Sequence, residues 1–357
     1  MKRRKKITAY VTSILFVLAM VFLVSGCVPD DSGDWWWNWD SGSQSDDNDS
    51  GSQPDDNDDS DDNADTGTTT DSEVAGFAAV SAGGVSGTTG GEGGTRVTVT
   101  SANELLDYIS RSGAYIIEIS GTIHLSSGMY DVASNKTLIG LGANAVIDGG
   151  GLDLSGVENV IIQNIAFRNA NDDSINVQES SHHIWIDHCD FSNGYDGLID
   201  IKRESSYITV SWNHFYNHHK TCLLGHSDDH TEDIGNLKVT YHHNWFDGTE
   251  SRHPRVRFGY AHVFNNYYVD NEYGIASTMN ADVLVEGNYF LRVEDPCHVG
   301  YADSDEGDLV ARNNTYDNCE NGPETRGSVS ALPYSVNIDS PAQIPDRVSS
   351  GAGVGHI

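Results

Sequence analysis

Positive charge is concentrated in one short segment of a strongly acidic chain. The segment ESRHPRVRFG, residues 250–259, holds Arg252, Arg255 and Arg257, whereas the whole chain of 357 residues has a formal net charge of −33. In an extended run Arg255 and Arg257 point to the same side. A solvated arginine patch would explain the segment, but arginines gathered on one face also suit the binding of an anionic ligand.

Three aspartates upstream could serve as ligands for a cation. Asp196 and Asp200 lie four apart in YDGLIDIK, and an extended backbone would point both to the same side as Lys202. If Asp173 joins them from a neighbouring coil, three carboxylates converge with no neutralising residue in the local sequence, which raises their pKa values unless a cation binds. Oxygen ligands at such spacing favour Ca²⁺ over Zn²⁺ or Mg²⁺. The alternative is that these acidic side chains simply face water.

A repeat in the sequence explains how these residues could meet. From residue 159 onward a β-rich run, a polar residue and an aromatic recur, and the closing aromatics are separated by 24, 24, 31, 22, 22 and 26 residues. This spacing is typical of a solenoid whose coils are short strands and whose insertions lie in loops. The closing aromatics are Phe167, Phe191, Phe215, Phe246, Tyr268, Phe290 and Tyr316.

Five coils also carry an asparagine two residues before the aromatic, which predicts a ladder of side-chain amides bonded from coil to coil. These residues are Asn213, Asn244, Asn266, Asn288 and Asn314. SANELLDYI begins with Ser101 and Glu104 at the spacing of a capping box, so a short helix is expected to cover the N-terminal end of the solenoid. AYIIEISGTIHL is then the first strand pair. We predict an all-β fold, a right-handed single-stranded parallel β-helix with a short N-terminal capping helix.

The aromatic positions show where each charged residue lies within its coil. Asp173 and Arg252 lie six residues beyond the aromatic of their coils, and Asp196 and Lys220 lie five beyond theirs. Adjacent coils of a parallel sheet are about 4.8 Å apart, so these four side chains should form one outward-facing strip. Because the carboxylates lie in register with Lys220 and Arg252, a site that binds a metal and an anionic ligand is favoured over a solvated surface.

The first 75 residues are predicted to lie outside the folded domain. Residues 1–27 combine a basic start, an apolar run and the ending LVSGC, typical of a bacterial lipoprotein signal with Cys27 as the lipidated residue. A plain signal peptide or an uncleaved anchor helix is the alternative. Residues 28–75 are predicted to be an acidic disordered linker, since residues 28–73 hold sixteen Asp or Glu and no Lys or Arg.

This organisation predicts an exported protein that is lipid-anchored at the cell surface or outer membrane, or secreted. Contact with the membrane is expected only through the N-terminal lipid. The β-helix domain is assigned to residues 76–357, and residues 74–357 carry a net charge of −22, which argues against a nucleic-acid partner. We expect a monomer.

Cysteines and paired histidines are further candidates for a functional site. Export permits disulfides, and four cysteines allow three pairings that the sequence does not rank; they are Cys189, Cys222, Cys297 and Cys319. Adjacent histidines such as His182 with His183 and His242 with His243 should point to opposite faces of a strand, which argues against chelation. Hydrogen-bonded structural roles are expected for most of them.

The globular region resembles the pectate lyases of polysaccharide lyase family 1. The similar stretches are WIDHCDF (185–191), DGLIDIK (196–202), SWNHFYNHHKTCLLGHSD (211–228) and RHPRVRFG (252–259). The four stretches occur in the order of the family, and the similarity covers most of residues 76–357. The resemblance implies a Ca²⁺-dependent pectate lyase that cleaves α-1,4-polygalacturonate by β-elimination to 4,5-unsaturated oligogalacturonates.

The resemblance also implies roles for individual residues. It implies that Asp173, Asp196 and Asp200 bind the primary Ca²⁺ and that Arg252 is the catalytic base. Lys220 and Arg257 match residues that bind substrate carboxylates, and Arg255 is a weaker match of the same kind. Asn171 stands where some relatives have a further acidic residue and is not included in the site. Asp187 and His188 of the WIDH motif are expected to organise their strand.

Arginine is a difficult base because its ordinary pKa lies above about 12. Neighbouring positive charges favour the neutral form, so we predict an alkaline optimum. Three alternatives remain at this point: a Ca²⁺-independent pectin lyase on methyl-esterified chains, a galacturonan hydrolase with a pair of carboxylates, and a surface polysaccharide-binding β-helix without catalysis.

Overall fold

The computed structural model describes residues 73–357, which form a parallel β-helix. Each coil passes through three strands, one in each of three parallel sheets, before the chain rises to the next coil. Because every strand pairs with its counterpart one coil away, residues about 24 positions apart become direct neighbours, as His182 and Ser206 do. This confirms the predicted fold class.

Sheet 1 contains ten parallel strands, one from each coil. Its strands are β1 (Thr95–Val99), β2 (Tyr115–Ile119), β5 (Lys136–Gly140), β8 (Glu158–Gln163), β11 (His182–Asp187), β14 (Ser206–Ser211), β17 (Lys238–His242), β20 (Tyr260–Phe264), β23 (Asp282–Glu286) and β26 (Asp308–Arg312).

Sheet 2 contains nine strands and follows sheet 1 along each coil. Its strands are β3 (Thr122–His124), β6 (Val146–Asp148), β9 (Ala166–Arg168), β12 (Asp190–Ser192), β15 (His214–Tyr216), β18 (Trp245–Asp247), β21 (Tyr267–Val269), β24 (Tyr289–Leu291) and β27 (Thr315–Asp317).

Sheet 3 contains eight strands and completes each coil. Its strands are β4 (Met129–Asp131), β7 (Gly151–Ser155), β10 (Ile175–Gln178), β13 (Ile199–Ile201), β16 (Cys222–Leu224), β19 (Arg255–Arg257), β22 (Tyr273–Thr278) and β25 (Asp295–Val299). The described chain also has the helices α1 (Ala102–Ser110) and α2 (Ile344–Gly351) and short 3₁₀ turns at Gly76–Ala79, Thr231–Asp233 and Pro341–Gln343.

The predicted aromatic positions form a continuous stack inside sheet 2. Neighbouring rings from Phe167 to Tyr316 are 4.4–5.2 Å apart and lie within 16° of parallel. The column continues toward the N-terminus with Ile147 and Ile123, which occupy the same register. The solenoid therefore begins before residue 159, and the sequence repeat missed these first coils because isoleucine replaces the aromatic there.

The predicted asparagine ladder is also present. Each Oδ1 accepts hydrogen bonds from the backbone N–H and the side-chain amide of the asparagine one coil earlier, at 2.8–3.1 Å, from Asn213 through to Asn314. The amide groups also donate to buried backbone carbonyls, as Asn244 does to Val210 at 2.8 Å. The ladder satisfies polar groups that the tight turn between sheets 1 and 2 would otherwise leave buried and unpaired.

Helix α1 caps the N-terminal end as predicted. The Ser101 hydroxyl accepts from the Glu104 N–H at 3.4 Å, while the Glu104 carboxylate accepts from the Thr100 N–H at 3.0 Å, and Leu105 and Ile109 are buried in the core. The expected first strand pair was wrong in one respect. Strand β1 precedes the helix and pairs with β2, so the solenoid starts one strand earlier than the sequence pattern indicated.

Helix α2 near the C-terminus was not predicted. It buries Ile344 and Val348 against Trp245, Tyr267 and Tyr289, and so covers part of the outer face of sheet 2. Within residues 73–357, no helix has the length and hydrophobicity needed to cross a membrane. The predicted lipoprotein signal with Cys27 and nearly all of the predicted linker lie outside the described residues.

The expectation for adjacent histidines was wrong. His182 and His183 are joined through their Nδ1 atoms at 2.8 Å, and His242 and His243 are joined in the same way at 3.0 Å. His183 and His243 have left-handed backbone conformations, with φ of 57° and 53°, which breaks the alternation of a regular strand. The expected structural role is supported, because the pairs are hydrogen-bonded within the fold and only His182 is more than marginally exposed.

The four cysteines of the described domain are free thiols. Cys189, Cys222 and Cys297 are buried, and burial raises the pKa of each thiol. A buried neutral thiol behaves as a small apolar side chain, so these residues act as packing groups.

Candidate active site

The predicted site residues cluster on the outer side of sheet 3 and on the turns that lead into it. Asp173 precedes β10, Lys220 precedes β16 and Arg252 precedes β19, while Asp200 lies within β13. The strands are paired in register, with Ile175 opposite Ile199 and Ile199 opposite Cys222. Residues that are far apart in sequence therefore meet along one edge of four successive coils.

Asp173 and Asp200 form the buried part of this cluster. Each is only 5% exposed, and a Cβ atom on Gly197 would lie 2.8 Å from the Oδ1 of both carboxylates. Gly197 instead leaves this space open and donates its N–H to Asp173 at 2.8 Å. Burial, followed by the charge of Asp173, raises the pKa of Asp200 to about 7. Burial also raises the pKa of Asp173.

Lys202 corrects the expectation that nothing nearby neutralises these carboxylates. Its Nζ lies 4.0 Å from Asp173 Oδ2 and 3.9 Å from Asp200 Oδ2. The lysine directly follows β13, where the strand leaves the sheet, so its side chain folds back over the aspartates. One ammonium beside two buried carboxylates leaves the group with a net negative charge. The pKa of Asp200 therefore stays raised despite Lys202.

Asp196 is more exposed and is engaged by Lys220. The Lys220 ammonium donates to Asp196 Oδ1, and this contact lowers the pKa of Asp196, with the charge of Arg252 acting in the same direction. The predicted strip is offset by one residue, because Asp173 lies beside Gly197 and Asp172 lies beside Asp196. Asp172 was missed by the sequence analysis, although carboxylate oxygens of Asp172, Asp173 and Asp196 lie within 4.8 Å of one another.

The guanidinium of Arg252 is unpaired. It forms no hydrogen bond and no ion pair within 4 Å with any residue of the described range 73–357, although its charge lowers the pKa of Asp196 and Asp200. Its backbone is fixed, because the carbonyl of Arg252 accepts from the Cys222 N–H at 2.7 Å and from the Thr221 hydroxyl. Arg252 has a left-handed conformation, with φ of 67°, which an ordinary residue adopts only where the surroundings impose it.

Arg255 and Arg257 share one side of β19, as predicted, and Val256 between them is fully buried. Arg257 Nε donates to Asp228 Oδ1 at 2.5 Å, and Asp228 Oδ2 accepts from the Ser304 hydroxyl at 2.7 Å. Arg255 donates to the same hydroxyl at 2.7 Å. The loop carrying Asp228 thus orients both arginines. Asp228 ends one of the motifs used above, but nothing in its local sequence indicated this contact.

Asn171, Asp187 and His188 make hydrogen bonds within the fold. Asn171 Oδ1 accepts from the Gly128 N–H at 2.7 Å and so holds the preceding coil. Asp187 accepts from Ser211 and from His188 at 2.6 Å and from Gln163 at 3.0 Å, and it is fully buried. These contacts agree with the prediction that the WIDH segment organises its strand.

The acidic cluster fits a hard divalent cation. Asp200 Oδ1 is buried without a hydrogen-bond partner in the described structure, and an orphaned carboxylate oxygen of this kind is costly unless a cation binds it. The surrounding ligand atoms are carboxylate oxygens, which Ca²⁺ prefers. The arrangement therefore brings together one cation site, one lysine bound to its rim and one unpaired arginine.

Comparisons with known proteins agree with this arrangement. A family model described as pectate lyase matches residues 64–357. The chain is 41% identical over 331 residues to a pectate trisaccharide-lyase of Thermotoga maritima, covering 79% of this chain and 88% of the relative. It is 37% identical over 278 residues to pectate lyase A of Aspergillus niger, covering 75% and 84%.

A solved structure is similar as well. The pectate lyase of Bacillus sp. N165 in complex with trigalacturonate superimposes with a TM-score of 0.72 at 33% identity, over 80% of this chain and 99% of that one. The fold thus places this protein among the parallel β-helix proteins. By sequence it belongs to the pectate lyase family and is a lyase.

Proposed function

We propose that this protein is a Ca²⁺-dependent pectate lyase that cleaves α-1,4-polygalacturonate by β-elimination. The observation that carries the proposal is the unpaired Arg252 guanidinium beside the buried Asp173 and Asp200 carboxylates. The relatives named above act on pectate, and one solved relative binds trigalacturonate, which supports an oligogalacturonate or polygalacturonate substrate.

Asp173, Asp196 and Asp200 would hold the Ca²⁺. When bound there, the ion would withdraw electron density from a uronate carboxylate and make the adjacent C5 proton more acidic. Asp200 must lose its proton to serve as a ligand, because its pKa of about 7 keeps it partly protonated near neutrality. Lys202 balances part of the negative charge before the metal binds.

Arg252 would act as the base. Its neutral guanidine takes the C5 proton, the C5 electron pair forms the C4–C5 double bond, and the C4–O4 bond breaks with its electrons leaving on O4. Solvent then protonates the leaving oxygen. One product has a new reducing end, and the other has a 4,5-unsaturated residue at its non-reducing end. Since arginine is neutral only at high pH, the rate should rise toward alkaline pH.

Lys220, Arg257 and Arg255 would bind substrate carboxylates. Lys220 lies at the rim of the cation site and can exchange its contact with Asp196 for a uronate. Arg257 and Arg255 lie one coil further along sheet 3. Asp228 holds the guanidinium group of Arg257 in place, and Ser304 holds that of Arg255. Such preorientation lowers the entropy lost when a carboxylate is bound by two N–H groups.

The test follows ultraviolet absorbance of the unsaturated product when the full chain acts on polygalacturonate near pH 9, with added Ca²⁺ and with a chelator. We expect absorbance that the chelator abolishes. Arg252→Ala should lower turnover roughly a thousandfold or more, as loss of a general base does, with polymer binding retained. Arg292→Ala is the control, because Arg292 lies two coils beyond Arg252 and its guanidinium already pairs with Asp270.

Each other outcome identifies a competing function. New reducing ends without absorbance would indicate a hydrolase, and binding without either signal would indicate a binding protein. Absorbance that appears only on methyl-esterified pectin and persists with the chelator would indicate a pectin lyase. If Arg252→Ala kept full turnover, the assignment of the base would be wrong.

We also propose that the chain is exported and anchored through a lipid on Cys27. The LVSGC ending and the acidic segment that follows it support this proposal. In cells supplied with radiolabelled fatty acid, the parent protein should become labelled and Cys27→Ser should not. A parent protein without label, or equal labelling of the two, would contradict the lipid anchor.

A further inference from the structure

A second cluster of possible metal ligands lies outside the acidic site. It is formed by the loop between β16 and β17 and by the turn after β13, and we call it the loop cluster: Glu204, His226, His230, Glu232 and Asp233. One ligand atom each from Glu204, His230 and Asp233 lies within 4.8 Å of the other two. Unlike the acidic site, this cluster includes imidazole nitrogen.

The distances around His230 suit a small metal ion. His230 Nε2 lies 3.0 Å from Glu204 Oε1 and 4.0 Å from Asp233 Oδ1. In a tetrahedral site with metal–ligand bonds of about 2.1 Å, ligand atoms are roughly 3.4 Å apart, which falls between these two values. A small movement of the half-buried Glu204 and His230 side chains would therefore accommodate the ion.

The other nitrogen of His230 has a carboxylate nearby. Nδ1 lies 3.6 Å from Glu232 Oε2, on the side away from Glu204. Histidines that bind metals through one nitrogen usually have the other oriented by a carboxylate, which fixes the tautomer and makes the ligand more basic. Glu232 can supply that second contact.

His226 can complete the coordination. Its ring centroid lies 5.3 Å from that of His230 and the two ring planes are at 88°. Two imidazoles bound to one tetrahedral ion have centroids roughly 5 Å apart. His226 is exposed, so its side chain can rotate toward the ion, and its backbone N–H already donates to Asp233 Oδ2 at 3.1 Å.

The charge balance of the loop cluster favours a dication. Glu204, Glu232 and Asp233 supply three carboxylates, and Asp233 is fully buried. Arg203, which precedes Glu204 in the chain, donates to Glu179 of the preceding coil at 2.6 Å, and this contact neutralises part of its charge. Asp233 keeps free lone pairs, because each of its oxygens accepts only one backbone N–H, from Glu204 and from His226.

We propose that the loop cluster binds one divalent transition-metal ion of the Zn²⁺ class, through His226, His230 and the carboxylates of Glu204 and Asp233. Mixed nitrogen and oxygen ligands favour Zn²⁺ and similar first-row ions over Ca²⁺, which prefers oxygen alone. The ion joins the turn after β13 to the loop that carries Asp228. The site is separate from the proposed Ca²⁺ site and does not depend on the proposed function.

The experiment titrates Zn²⁺ into the metal-stripped full chain by calorimetry, with excess Ca²⁺ present to saturate the all-oxygen sites. We expect one Zn²⁺ per chain with a micromolar or lower Kd. His230→Ala and Glu204→Gln should weaken binding by a hundredfold or more, and His226→Ala by tenfold or more. Asp200→Asn, which alters only the proposed Ca²⁺ site, should keep the Zn²⁺ affinity.

His298→Ala is the matched control. His298 is as exposed as His230 and also has two carboxylates nearby, but they face different ring nitrogens, with Asp295 at 3.6 Å from Nε2 and Glu324 at 3.7 Å from Nδ1. One ion cannot be bound by such a set, so this variant should bind Zn²⁺ like the parent protein. Circular dichroism checks that each variant is folded, and if His230→Ala unfolds, the exposed His226→Ala decides.

Two results would overturn the proposal. One is a parent protein that binds no Zn²⁺ in the presence of Ca²⁺. The other is binding that the folded loop-cluster variants leave unchanged, which would place the ion elsewhere in the chain. Replacing Zn²⁺ by Co²⁺ gives an independent readout, since tetrahedral coordination with two imidazoles produces visible absorption that His226→Ala should reduce.

Discussion

At the residue scale, the site depends on how differently three aspartates are placed. Asp196 is about half exposed and shares a contact with Lys220, so its pKa is lowered, whereas burial raises the pKa of Asp173 and Asp200. The two buried carboxylates are therefore poorly satisfied without a cation. Lys202 reduces this cost without removing it, because its ammonium lies at the limit of an ion pair with each of them.

Calcium affinity should depend on pH through Asp200. Because the pKa of Asp200 is about 7, Ca²⁺ must displace a proton below that pH, and the affinity near pH 6 should be about tenfold weaker than near pH 8. Calorimetry at the two pH values measures this difference. Asp200→Asn should bind Ca²⁺ more weakly at both and lose most of the pH dependence. Equal affinities for the parent protein at pH 6 and pH 8 would contradict the prediction.

At the element scale, the internal ladders hold successive coils in register. The stacked aromatics pack the interior of sheet 2, while the asparagines satisfy the turn between sheets 1 and 2. Since the strands of sheet 3 follow in the same coils, their register is set partly by these ladders. The positions of Lys220 and Arg252 relative to the aspartates therefore depend on contacts inside the solenoid.

Replacing an asparagine in the middle of the ladder should be strongly destabilising. Asn266 accepts from Asn244 and donates to Tyr241, Phe264 and Asn288, all at 2.9–3.1 Å. Asn266→Ala leaves several buried groups unpaired at about 1–3 kcal/mol each, so we expect the free energy of unfolding to fall by roughly 3 kcal/mol or more. Urea denaturation measures the change.

Asn314→Ala is the control for this prediction, because Asn314 lies at the half-buried end of the ladder and has no asparagine beyond it among the ladder residues. Its replacement should cost clearly less than that of Asn266. Equal losses for the two variants would show that the ladder does not act as a chain of cooperative bonds.

At the scale of the whole molecule, buried histidines link the fold to pH. His242 and His253 are buried and neutral, and burial lowers the pKa of His253 to about 3 and that of His242 well below its usual range. His262 is also buried and donates toward Glu286, whose pKa this contact lowers to about 2. Each of these groups has a lower pKa in the folded chain than in the unfolded chain.

The protein should therefore lose stability as the pH falls below about 6.5. Between about pH 6.5 and pH 3 the unfolded chain binds a proton on His253 that the folded chain does not bind. This difference lowers the free energy of unfolding by about 1.4 kcal/mol for each pH unit that the pH falls. Four aspartates act in the opposite direction, because burial raises the pKa of Asp153, Asp173, Asp190 and Asp200, but six histidines of the described residues have a lowered pKa. Urea midpoints measured from pH 7.5 to pH 4.5 test the sign, and a constant midpoint would contradict it.

The sequence by itself determined the features that depend on local residue spacing. The aromatic and asparagine positions, the capping box at Ser101 and the outward face shared by Arg255 and Arg257 are local patterns, and the structure contains all of them. The aromatic repeat did not extend to the first coils, because Ile123 and Ile147 replace the aromatic there, which removes the signal while keeping the packing.

Only the tertiary structure decided which side chains meet between coils. Lys202 reaches Asp173 across one coil, Asp228 reaches Arg257 from a loop, and the loop cluster joins Glu204 to His230, which is 26 residues away. These contacts depend on strand register and, for Glu204, on a left-handed backbone conformation with φ of 61°, which departs from the regular alternation of a strand. A left-handed residue leaves little trace in local sequence unless it is glycine or asparagine, so the charge balance of the site became clear only in three dimensions.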